Sequence, residues 1–258
     1  NTTLNSKRGI ELGVNDGTID VNAGMTVQFG GIVDGSGDFS KTGAGKLSLS
    51  GTNTYTGTTR VSGGILEANN VSALGNNSAL TLDNTAGVSL NLLSNLTIGS
   101  LVGGGTTGGN VSLGSAQLTA GANNTSTTYA GVMSGTGSLQ KSGSGDFKLT
   151  ANSSYTGATT IGDGQLILEN NAPTFATSSI NGPGALTIRS TSDSFSSAIN
   201  TSGVPIGANT GLGALTIGKS GNTADITIGS NQVVNGNVDV YGGNIVVGGN
   251  ITKSTSAD

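Results

Sequence analysis

Acid–base, nucleophilic and metal chemistry draw on a short list of side chains, and this sequence is poor in most of them. It contains no histidine and no cysteine. That excludes Ser-His-Asp and Cys-His catalysis, thiol chemistry and the common His-based zinc sites. What remains is 14 Asp and Glu residues scattered over 258 positions. A polysaccharide lyase or hydrolase would need two or more carboxylates gathered in a groove, and Asp34, Asp38, Asp163, Asp193 and Glu169 are the ones whose placement would show it. Gly35-Ser36-Gly37-Asp38 and Gly143-Ser144-Gly145-Asp146 put the Asp one place too early for a calcium-binding nonapeptide, and neither is tandem. Gly43-Ala44-Gly45-Lys46 lacks the spacing and the hydroxyl of a phosphate-binding loop. No catalytic, metal or cofactor site is expected.

The residues that do stand out come in duplicate. Gly35, Gly37, Lys41, Gly43, Gly45, Tyr55, Thr56 and Gly57 recur, with a constant offset of 100, as Gly135, Gly137, Lys141, Gly143, Gly145, Tyr155, Thr156 and Gly157. The repeated phrases run over residues 31–70 and 131–170. Lys41 and Lys141 could form a binding stripe, but the expectation is a solvated lysine at a corner that discourages lateral strand pairing. Tyr55-Thr56-Gly57 could stack on sugar. The preferred reading is a tyrosine clamped over a turn in which Gly57 takes a positive φ. Asp34 and Asp38 become Ser134 and Ser138, so the repeat does not require carboxylates there.

The elements that must position these residues are short strands. No stretch sustains helical apolar spacing, and period two dominates: Leu47-Ser48-Leu49, Leu80-Thr81-Leu82, Leu186-Thr187-Ile188 and Ile226-Thr227-Ile228 are examples. Glycine, Asn, Asp and Ser bound runs of about three to five residues, too short for a sandwich. With 46 glycines, 3% aromatics and no tryptophan, only a thin aliphatic core can be filled. Together these features predict an all-β, right-handed parallel β-helix with strands stacked in coils. At roughly 20 to 25 residues per coil, about eleven coils would span about 50 Å. The chain is expected to be one domain over 1–258. A departure is expected at 171–205, an irregular loop or coil that holds all three prolines. A further change of coil type is expected near Gly211.

Only 9% of residues are charged, with a net charge of −4. That gives no footprint for nucleic acid or anionic lipid. No apolar run reaches the roughly 20 residues of a membrane helix. The first residues carry no signal-peptide apolar core, so a soluble, excised segment is expected. A chain exported unfolded through a narrow pore would also do well without cysteine.

The phrase GxGxLxKxGxGxLxLxGxNTYTGxTxVxxGxL, carried by Gly35–Leu66 and Gly135–Leu166, resembles the passenger-associated transport repeat of autotransporter proteins of Gram-negative bacteria. The stretch Leu215–Thr252 is more loosely similar to large filamentous-haemagglutinin-like surface adhesins. The resemblance implies a type V secreted adhesin passenger at the outer face of the bacterial cell, exported through an outer-membrane translocator barrel. Its role would be a structural stalk supporting adhesion, aggregation or biofilm, and not an enzyme. An unknown surface protein or glycan would be the partner, with self-association into fibres also implied. An end-to-end assembling filament and a β-helical lyase or hydrolase are the alternatives. Since loops on a rigid scaffold carry recognition, Arg189, Asp193 and Phe195 are the expected contact residues.

Overall fold

The computed structural model describes residues 2–4, 8–75, 77–202, 206, 207, 211–229 and 231–252, with side chains from Arg8 onward. Among these residues the chain is all β, without a helix, and its strands are two to ten residues long. Every strand pairing is parallel, and each strand pairs with neighbours about one coil away. One ladder runs without interruption through Ile19, Lys41, Val61, Leu82, Gly103, Tyr129, Leu149, Leu168, Ile188, Ile217 and Val240. Those eleven rungs are spaced 19 to 29 residues apart. The fold is a parallel β-solenoid of eleven coils, as the alternation and the glycine corners require.

Two further faces complete each coil. A second ladder joins Val27, Leu47, Leu66, Leu90, Val111 and Met133. The third begins with Ile10 beside Val33 and passes through backbone hydrogen bonds at Asn53 and Thr97. It then continues as Leu96, Leu118, Leu139, Thr159 and Ile180. Alternation sends every second side chain inward. The inward set forms one column of Leu, Ile, Val and a few rings from Leu12 to Val234. Each fully buried aliphatic side chain contributes about 1.5–3 kcal/mol to holding coil on coil.

The two repeats do not sit on the same faces. In the first copy Phe39–Thr42 lies in the first ladder and Lys46–Leu49 in the second. In the second copy Ser138–Lys141 lies in the third ladder and Asp146–Leu149 in the first. Five rungs separate Lys41 from Leu149 along the first ladder, and Lys141 lies one face short of it. An offset of 100 residues therefore equals four coils and two faces of a fifth. The same phrase is presented in two directions around the rod.

Within 171–202 the chain is irregular at 171–179 and 190–198, and between them it forms a coil wall. Ile180–Arg189 is the longest strand, at ten residues. Its start pairs with Thr159–Ile161 and its end with Gln165–Glu169, so it turns a corner and fuses two ladders into one fifteen-stranded sheet. Phe195 and Ile199 are buried in the core. Pro205 lies outside the described residues. Beyond Gly211 the first ladder continues through Leu212–Ile217 and Val238–Val240.

Candidate functional site

Lys41 sits at the inward phase of Phe39-Ser40-Lys41 and is fully buried. Its Nζ donates to the carbonyl oxygens of Thr42 at 2.6 Å, Gly43 at 2.7 Å and Gly63 at 2.9 Å. Lys141 repeats the arrangement, with Nζ donating to the carbonyls of Ser142 at 2.9 Å, Gly143 at 2.5 Å and Asp163 at 2.9 Å. An ammonium has three donors and no acceptor, so each cage satisfies it completely. Gly43 and Gly143 both take φ of 70°, which turns their carbonyls onto the ammonium and favours glycine there. Burial pulls both lysines below their usual pKa, with Asp20 opposing it at Lys41 and Asp163 and Asp146 at Lys141. The expected solvated corner lysine is thus corrected: both lysines are internal staples that tie a coil corner to the next coil.

Tyr55 is also fully buried, its ring 5.9 Å from that of Phe39. Its hydroxyl bonds Thr59 Oγ1 at 2.6 Å, and Thr59 in turn bonds Ser78 Oγ at 2.9 Å. Tyr155 repeats this with Thr159 at 2.7 Å and Thr177 at 3.1 Å. The rings are unavailable for stacking on a ligand. Burial pushes the Tyr155 hydroxyl up to about 12, with the Thr159 hydrogen bond opposing it. Gly57 is not among the residues with positive φ, which corrects the expected turn. The reason for glycine is proximity: a Cβ there would lie 2.2 Å from the carbonyl oxygen of Gly37, and Gly157 stands the same way to Gly137. The other shared glycines fall into the same two groups. Gly35 and Gly135 have positive φ, and a Cβ on Gly37, Gly45, Gly137 or Gly145 would meet backbone of the preceding coil. Thr56 and Thr156 have exposed side chains and donate backbone N–H groups to the carbonyls of Gly35 and Gly135.

Around this shared frame the copies diverge. Beside Tyr55 the next coil supplies Ala73 and Leu74, both fully buried. Beside Tyr155 it supplies Thr174, exposed, and Phe175, half-buried. The result is a cavity of about 40 Å³ against Leu149, Tyr155, Leu166, Leu168 and Phe175, enough for about two or three waters. Asn53, whose amide bridges Val33 and Ala73 at 2.8 and 2.6 Å, becomes Ser153, which retains only the contact to Met133.

A larger hollow of about 320 Å³ lies on the outer surface of the first face, lined by Ser126, Thr127, Thr128, Asp146, Lys148, Gln165, Ile167 and Arg189. Register stacks Thr128, Lys148 and Ile167 in one column and Asp146 beside Gln165 in the next. Glu169, outside the lining, accepts from Lys148 Nζ at 3.1 Å and from Arg189 Nε at 2.6 Å and so orients both cations. Burial pushes the Glu169 carboxyl up, but the hydrogen bonds and charges of Lys148 and Arg189 outweigh it and hold the group below the usual carboxylate range. Such a carboxylate stays ionised and is a poor proton donor near neutral pH.

Of the three residues expected to make contacts, Arg189 lines this hollow. Asp193 is exposed, and Phe195 is 5% exposed, in the core. The structure does not bring the three into one patch, because Phe195 points inward. The five carboxylates considered for catalysis are dispersed: Asp34 and Asp38 lie in the coil of Lys41, Asp163 and Glu169 six coils on, and Asp193 in the coil after that. Among the described residues no group of three or more Asp or Glu could hold a metal ion. Lys148 and Gln165 were not picked out by sequence reasoning, and Asp146 was weighed only as part of a calcium-binding nonapeptide. The signal that could have found them is that they differ from their counterparts Lys46, Ser48 and Ile65 inside an otherwise shared phrase.

The passenger-associated-transport-repeat family matches residues 39–68 and 139–168, within the two phrases read from the sequence. Over 168 residues, 64% of this chain, the sequence is 41% identical to the adhesin BmaC autotransporter of Brucella suis biovar 1 (strain 1330). The match covers 5% of that protein, so the chain spans a small fraction of its relative's length. No solved structure matches the chain.

Proposed function

We propose that this chain, an autotransporter-type adhesin passenger segment bearing two passenger-associated transport repeats, is a rigid spacer of a bacterial surface adhesin. In this reading it leaves the cell through an outer-membrane translocator barrel, folds coil by coil outside, and stands between the cell and a receptor-binding region. The observation that carries the proposal is the uninterrupted eleven-rung parallel ladder. Each pairing closes within 19 to 29 residues on that ladder, so every emerging coil finds its template in the coil just formed and needs nothing distant. The lysine staples fit this role, since each joins a corner to the coil that follows. The relative's name as an adhesin supports a non-enzymatic role, as does the dispersal of the carboxylates.

Cysteines at Ser40 and Arg60, register partners in adjacent coils, test the export step in the parent protein. A disulfide locked before translocation is expected to stall surface display, and reductant to restore it. Display unaffected by the lock would contradict unfolded, vectorial export.

A further inference from the structure

We infer that the hollow beside the second repeat is a binding site for an uncharged saccharide. The site goes beyond the spacer role and does not depend on it, because binding is a property of the isolated chain. Its floor is a sheet face in which the backbone N–H and C=O groups are already paired between coils. A peptide therefore finds no free strand edge to extend, and recognition must come from side chains. Those side chains mix donors and acceptors. Lys148 Nζ and the Arg189 guanidinium each use one bond on Glu169, leaving further N–H groups from their three and five. Asp146 has an exposed side chain, and the Gln165 amide donates to Thr187 at 2.9 Å, which leaves its carbonyl oxygen free to accept. Thr127 and Thr128 line the same wall, Thr128 with an exposed side chain in the column of Lys148.

The charges cancel: Asp146 lines the hollow, and Lys148 and Arg189 are both ion-paired to Glu169 just outside it. An anionic polymer or acidic peptide gains no net attraction there. Vicinal hydroxyl groups, each both donor and acceptor, match such a balanced set. The hollow of about 320 Å³ is at the lower end of the size of small-molecule sites, about 300–1,000 Å³. The first repeat cannot form the site, because it carries Lys46, Ser48 and Ile65 where the second has Asp146, Lys148 and Gln165.

The test uses the purified 258-residue chain on an array of immobilised neutral and acidic oligosaccharides, beside Asp146→Ala and Gln165→Leu. Circular dichroism would establish that each variant keeps the β fold. The chain is expected to bind at least one neutral oligosaccharide, with affinity unchanged between low and high salt. Each variant should bind about tenfold more weakly, the loss of one or two good hydrogen bonds. Binding to no neutral sugar, binding confined to acidic sugars, or binding that both folded variants retain in full would each overturn the assignment. Surface display can fail or succeed in the export test without changing any of these outcomes.

Discussion

The first and second repeats share their glycines, lysine and tyrosine and differ in what surrounds them. In the first, the tyrosine is fully buried, as are Ala73 and Leu74 of the next coil, and its ring lies tilted beside that of Phe39. In the second, Phe39 has become Leu139, a small cavity lies against Tyr155, and a polar hollow flanks the strand Asp146–Leu149. Both nevertheless build the same ammonium cage and the same tyrosine–threonine bond, on faces one step apart around the rod. The shared residues thus specify how a coil is closed and stacked. The unshared ones decide what that coil shows to the outside.

Equality of the two cages is the part of the comparison with the most energy behind it. Lys41→Met and Lys141→Met keep the aliphatic stem and remove the ammonium, leaving three carbonyls without their donor. Each is expected to destabilise its coils by about 3–5 kcal/mol, the loss of three charge-assisted hydrogen bonds. Native-state hydrogen exchange of the neighbouring amides reads the loss coil by coil. Unequal losses would mean that the cages are not equivalent.

The divergence should appear in the packing. Leu74→Ala removes a fully buried side chain and is expected to cost about 3 kcal/mol, while Phe175→Ala, at the half-buried equivalent wall, should cost about 1 kcal/mol. The same exchange measurement on both variants compares them. Comparable costs would show that the second copy is as tightly sealed as the first.

The smallest expected effect is on the tyrosine. Tyr155→Phe loses one hydroxyl contact, about 1 kcal/mol near neutral pH. Because folding raises the Tyr155 hydroxyl from 10.0 to about 12, the folded chain holds a proton that the unfolded chain releases in that interval. Its stabilising contribution is therefore present below pH 10 and lost as pH rises through about 12. Denaturant midpoints of wild type and Tyr155→Phe should converge above pH 10 and cross as the pH approaches 12, since the raised pKa outweighs the single hydroxyl contact. A constant difference would show that the hydroxyl is not buried as described.

Much of this architecture was legible in the sequence. Period-two alternation between glycine corners defines short strands, and 258 residues at roughly 20 to 25 per coil give a solenoid of about eleven coils. Burial of Lys41 was misread because charge argues for a surface position. Yet Phe39-Ser40-Lys41 and Leu139-Gln140-Lys141 place the lysine in the inward phase, and that alternation was the better guide. The three carbonyls that make burial possible come from a turn and from the next coil, a convergence that no local pattern reports. Proline content suggested a loop in 171–205, but Pro183 is accommodated within Ile180–Arg189 at a shift of register. The polar hollow was hidden for a related reason: its walls come from Ser126 through Arg189, three rungs apart on one face.

The most direct test of the shared frame is nitrogen-15 NMR of the lysine side chains. An ammonium held by three carbonyls exchanges its protons slowly, whereas one in water exchanges too fast to be seen. Among the described lysines, two protected ammonium signals are expected, one vanishing in Lys41→Met and the other in Lys141→Met. A single protected signal, or none, would contradict the claim that both repeats close their coils with the same staple.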